Sequence, residues 1–192
     1  MPPKSKFTKE EIIANAIIIV EREGIDALTA RALGNELGSS ARPIFTLFDS
    51  MDDVLDAVHN CANDIYGKYV EEGLSEELAF RGVGKAYIKF ACDHPRLFQM
   101  LFMKEKQLPP NMNEVLQGIE SHYEAIISSI KDSYGLDRNQ AIDLYFHLWV
   151  YSHGIAVLIA TNVCQFSQEQ ITQLISQVFK SLLAKIKTEG RL

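Results

Sequence analysis

The sequence predicts an all-α fold of nine helices, and three observations carry that reading. From Ile12 to Ile186 apolar residues recur at i, i+3 and i+4, the spacing that places them on one helical face. Gly24, Gly38, Pro95 and Gly135 punctuate those runs, where such residues end helices. No stretch alternates apolar and polar residues as a half-buried strand does, and no internal repeat or low-complexity tract is present.

The first helix opens at Thr8, an N-cap with Glu11 three residues on as a capping box. Phe7 and Ile12 are placed as a hydrophobic staple, and Ile13, Ile17 and Val20 line one face until Gly24. Its β-branched content is poor for helix propensity, so its stability is expected from packing on Leu33, Leu37, Ile44 and Phe48. Thr29 caps a second helix that ends at Gly38. Ser40 is then expected to cap a short third helix with Pro43 in its first turn, Ile44, Leu47 and Phe48 inward, and Arg42, Phe45 and Thr46 outward. Helices this short are marginal alone, so the three must form one unit. Two short helices joined by a glycine turn make a helix-turn-helix, whose second helix offers its outer side chains to a DNA major groove.

Asp49 or Ser50 caps a fourth helix over about 51–70 with no Pro or Gly before Gly67, a rigid lever. Ser75 caps a fifth over about 76–93, and a short apolar sixth follows Pro95 with Leu97, Phe98, Leu101 and Phe102. The polar segment 104–110 is a Pro-terminated loop. A seventh helix is expected over about 112–134, an eighth from Asp137 over 138–163, and a ninth over 168–188 behind a Ser167–Gln170 capping box. The last two are apolar on more than one face, more than one core contact needs. An antiparallel pair of this kind packing on its copy makes a four-helix dimer interface, with Ile155, Leu158, Ile159, Leu174, Ile175, Val178 and Leu182 as its candidates.

Residues 8–55, from Thr8 through Gly24-Ile25 and Thr29-Ala30-Arg31 to Ser40-Ala41-Arg42-Pro43-Ile44-Phe45-Thr46-Leu47-Phe48, resemble the DNA-binding domain of TetR/AcrR-type bacterial regulators. The run Leu148 to Gly154 resembles the Trp, His and Gly signature of a WHG-type C-terminal class in Trp149, His153 and Gly154. The resemblance implies a homodimeric, ligand-released repressor of a palindromic operator, with residues 1–55 reading DNA and 56–192 sensing ligand and dimerising. Family members often carry tyrosine at the position of Phe45, a polar or aromatic donor at Leu47 and lysine at Met51. Without those phosphate donors, affinity for any single operator is expected to be weaker, or to depend more on Arg42 and the N-terminal arm.

Net charge is −6, which argues against indiscriminate nucleic-acid binding. DNA affinity must therefore come from local placement. Lys4 and Lys6 on the arm, Thr29, Arg31, Ser39, Ser40, Arg42, Pro43, Phe45 and Thr46 are the candidate DNA contacts. Arg42 has the chemistry for a guanine edge, whereas Arg31 is either a phosphate clamp or half of a surface salt bridge with Glu10 or Glu36.

The candidate effector pocket draws on Tyr87, Phe90, Phe98, Phe102, His122, Tyr123, Trp149 and His153, with a filled aromatic core as the alternative. A neutral or amphipathic apolar ligand is expected. The five histidines and three cysteines fit no metal-ligand spacing, so no cofactor, metal or catalytic site is expected. The apolar run 148–160 is too short to span a bilayer and no apolar signal segment leads the chain, so a cytoplasmic protein without membrane contact is expected. The competing reading is a helical small-molecule binding or interaction protein whose DNA-binding domain is vestigial.

Overall fold

The computed structural model describes residues 6–105, 108–111 and 114–189. Among them are nine α-helices, two 3-10 helices and no strand. In order the helices are α1 (Lys9–Glu23), α2 (Ala30–Glu36), α3 (Met51–Leu74), α4 (Ala79–Asp93), α5 (Pro95–Phe102), α6 (Val115–Ile119), α7 (Tyr123–Tyr134), α8 (Arg138–Ala160) and α9 (Gln168–Glu189). The 3-10 segments are Ile25–Ala27 and Ile44–Thr46.

The chain forms two compact units. The first runs to Ile65 and takes in His94–Lys104. Thr8 Oγ1 accepts from the Glu11 N–H at 3.1 Å, and Glu11 Oε2 accepts from the Thr8 N–H at 2.8 Å, so two of the donors that α1 leaves unpaired are satisfied together. Ile12, Ile19, Val20, Leu33 and Ile44 are buried beneath it. α5 packs on α1, and Glu21 Oε1 lies 2.5 Å from His94 Nδ1. That packing groups α5 with the N-terminal helices, although it falls within the segment 56–192.

The third expected helix is not an α-helix. Only Ile44–Thr46 is helical, with 3-10 geometry. Pro43 disfavours helical backbone at Arg42, and the Thr46 hydroxyl donates to the Pro43 carbonyl at 2.6 Å, the acceptor that the Leu47 N–H would take in an α-turn. Leu47 bonds to Ile44 instead, at 3.0 Å. Ser50 then caps α3, its Oγ accepting from the Asp53 N–H at 3.2 Å.

The second unit comprises Tyr66–Asp93 and the chain from Glu105 onward. α8 is its centre, packed by α4, α7 and α9. Ser75 does not cap α4; its hydroxyl donates to the Glu72 carbonyl at 2.7 Å and closes α3. The helix expected over 112–134 is two, α6 and α7. At the break Glu120 is turned inward, 5% exposed, accepting from the Tyr66 hydroxyl at 2.7 Å and the His122 N–H at 3.0 Å. Residues 112 and 113 lie outside the described residues. The capping boxes at Asp137–Gln140 and Ser167–Gln170 are both formed.

α8 ends at Ala160 rather than 163. By length and composition it is the one described helix able to cross a membrane. The run 148–160 understated it, because the helix continues back to Arg138.

Candidate functional site

Two sites emerge, one in each unit. In the first, α2 hands over to the Ile44–Thr46 turn through Gly38, whose φ of +60° is the left-handed conformation that closes a helix. Gly34 makes the turn tight: a Cβ there would meet the Ala41 N at 2.9 Å and the Ser40 carbonyl carbon at 3.0 Å. Sequence reasoning passed over Gly34, since its signal is backbone proximity across seven residues.

Arg31 and Arg42 are exposed and form no ion pair with any described residue. Of the two salt-bridge partners expected for Arg31, Glu36 is taken by Arg22, with Nη2 2.9 Å from Oε2, and Glu10 interacts with Thr8 and Lys9 instead. Phe45 is 46% exposed, a large apolar ring in water. Thr29 caps α2 by accepting from the Ala32 N–H at 3.1 Å. Lys6 Nζ donates to Ser39 Oγ at 3.5 Å, tying the arm to the turn. Ser40 is exposed, Pro43 half-buried, and Thr46 exposed with its hydroxyl spent on Pro43. Lys4 lies outside the described residues. This surface offers two guanidinium groups and an aromatic ring to a polyanion.

The second unit holds a cavity of about 740 Å³ walled by α3, α4, α7, α8 and α9, within the range of small-molecule sites. Tyr87 and Trp149 line it. Phe90 is fully buried against Tyr66 and Tyr69. His122 and Tyr123 lie at the α6–α7 break outside the lining, and Phe98 and Phe102 pack together in the first unit, at 5.1 Å between rings. His153 stands behind the wall. Its Nδ1 is 2.8 Å from the Tyr87 hydroxyl, and its ring stacks on Trp149 at 5.1 Å. Burial pushes the Tyr87 phenol well above its ordinary range and lowers His153, so a protonated phenol donates to a neutral imidazole near pH 7. The Trp149 indole N–H is buried and acts on the Tyr87 hydroxyl, outside ordinary hydrogen-bond geometry. Sequence reasoning missed Tyr66, Arg81, Tyr134, Phe179 and Lys180 in the lining, because four different helices bring them together.

Of the expected dimer residues, Ile155 is buried with Ile88 and Ile171 in the chain's own core, with Ile159, Leu174 and Ile175 packed against it. Val178 and Leu182 are partly exposed, and Leu158 is 37% exposed. The outward apolar residues of α8 also include Val150, at 49%, which faces out because the core takes Leu148 and Ile155.

Cys92, Asp93 and His94 do not form a nucleophilic set. Burial raises the Cys92 thiol, Asp93 accepts from Tyr69 and Lys89, and His94 meets Glu21.

Residues 80–184 match the model of the tetracyclin repressor-like C-terminal domain. The HTH-type transcriptional regulator Rv0681 of Mycobacterium tuberculosis (strain ATCC 25618 / H37Rv) is 29% identical over 163 residues, 83% of this chain and 73% of that protein. The HTH-type transcriptional repressor Rv1353c of the same strain is 25% identical over 158 residues, 81% of this chain and 58% of that protein. Among solved structures, apo ActR from Streptomyces coelicolor matches with a TM-score of 0.53 over 97% of this chain and 99% of its own, at 18% identity, a likeness of fold.

Proposed function

The chain belongs to the tetracyclin repressor-like family of helix-turn-helix transcriptional regulators, and from that premise we propose that it is a cytoplasmic homodimer holding a palindromic operator until a small ligand releases it. It is a DNA-binding regulator and not an enzyme. The observation that carries the operator assignment is that Arg31, Arg42 and Phe45 are all exposed on the helix-turn-helix segment, with neither guanidinium in an ion pair with a described residue. Arg42 reads a base edge and Arg31 holds a phosphate. In this scheme residues 1–55 read DNA, and 56–192 sense the ligand and dimerise.

A two-fold dimer presents two such surfaces to two half-sites. Support for it comes from α8, which leaves Val150 and Leu158 in water with Gly154 on the exposed helix surface between them in sequence. A Cβ at Gly154 would meet nothing within 4 Å, so the chain's own packing does not require a glycine there. A second copy approaching closely gives it a use.

Release works as a population shift. α3 is unbroken from Met51 to Leu74: it begins three residues after Phe48, and Tyr66, Tyr69 and Gly73 near its other end line the cavity. A ligand lodged against them biases α3 toward a setting that the operator spacing disfavours. Such couplings are worth about 1–3 kcal/mol, and linkage requires an inducer to bind the DNA-free dimer more tightly than the DNA-bound one.

Selection from a random duplex pool at near-physiological salt is expected to enrich a palindrome. Arg42→Ala is expected to weaken that site by about 1–3 kcal/mol, roughly fivefold to 150-fold. Failure to enrich any motif at low and moderate salt, with Arg42→Ala silent, would select a vestigial DNA-binding domain, the reading that the −6 charge and the absent donors at Phe45, Leu47 and Met51 favour.

A further inference from the structure

The cavity lining holds more positive charge than the fold consumes. Lys85 Nζ pairs with Glu76 Oε2 at 2.7 Å, and Lys89 pairs with Asp93, so these four groups cancel. Arg81 on α4 and Lys180 on α9 also line the cavity and form no ion pair with any described residue. Tyr134 lies near both helices that carry them. Burial pushes the Tyr134 phenol up while the Arg81 guanidinium nearby pulls it back, and the Tyr134 ring meets Phe179, the neighbour of Lys180, at 5.1 Å. The remaining lining carboxylate, Glu72, acts instead on Tyr69 and Lys89. Between these charged groups the wall is apolar, with Tyr87, Leu148, Trp149 and Ile171.

We infer that the ligand is an amphipathic organic anion, its apolar body on the Leu148–Trp149 wall and its charged end between Arg81 and Lys180. This deepens the ligand-release reading and rests on it. Apolar burial supplies most of the affinity. The two exposed cations choose among ligands of similar shape, and their modest individual strength sets a preference of about tenfold.

Trp149 is the chain's single tryptophan, so energy transfer from it reports occupancy. The probes are 8-anilinonaphthalene-1-sulfonate and N-phenyl-1-naphthylamine, which share their rings and differ by the sulfonate. With the full-length DNA-free protein, the sulfonate is expected to accept excitation from Trp149 and bind about tenfold more tightly. Arg81→Ala combined with Lys180→Ala should remove that preference and leave the neutral probe's affinity and the melting temperature unchanged. Arg81→Lys combined with Lys180→Arg should keep it. Equal affinity of the two probes, a preference surviving in the double alanine variant, or no transfer to either probe would overturn the inference. Anion preference without operator release would uphold the cavity chemistry and sink the release mechanism.

Discussion

His153 shows how one side chain ties the sensing unit to pH. Burial lowers its pKa below the ordinary 6.5, and its Nδ1 accepts from Tyr87 at 2.8 Å only while unprotonated. The sign follows from linkage. Above about pH 6.5 neither folded nor unfolded chain protonates the ring, and no stability hangs on it. Below that the unfolded chain takes up a proton that the folded chain resists, so stability falls with pH. Thermal unfolding between pH 7 and 5 is expected to show a steeper loss for the natural protein than for His153→Gln; parallel curves would refute it. Sequence showed His153 one helical turn after Trp149. That its ring stands behind a cavity wall, hydrogen-bonded to a tyrosine 66 positions away, needed the fold.

At the scale of elements, glycines at close backbone approaches set how helices end and cross. Gly34→Ala drives a Cβ into three backbone atoms of residues 39–41, which cannot yield as a side-chain tip would. About 1–3 kcal/mol of stability should be lost, read as a lower melting temperature together with lost operator binding. Gly82 on α4 abuts Gly73 on α3, where a Cβ would overlap the Gly73 carbonyl. Two residues along the same helix, Gly84 has nothing within 4 Å of its Cβ position. Gly82→Ala is therefore expected to destabilise and Gly84→Ala to stabilise by about 0.5–1 kcal/mol through helix propensity. Equal melting shifts for the two would deny the close crossing.

For the whole molecule, the prediction concerns assembly. Val150→Asp combined with Leu158→Asp places charge on exposed side chains, so helix content by circular dichroism should persist while sedimentation shows a monomer and operator binding weakens steeply. A double variant that still sediments as a dimer would remove α8 from the interface. The sequence by itself determined the all-helical class, the capped starts of α1, α2, α3, α8 and α9, and the outward side chains of the turn after Gly38. Those features depend on neighbours within about four residues, which helix geometry and capping make readable. The 3-10 turn in place of the expected α-helix is local as well, set by Pro43 and the Thr46 hydroxyl, but helical periodicity does not report it. Only the tertiary structure decided that inward-turned Glu120 splits α6 from α7 and that α5 joins the N-terminal helices. It also decided that Ile155 serves the chain's own core, and that Arg81, Tyr134 and Lys180 from three helices meet one cavity. These outcomes turn on which faces helices present to distant partners, and periodicity says that a face is apolar without saying what covers it.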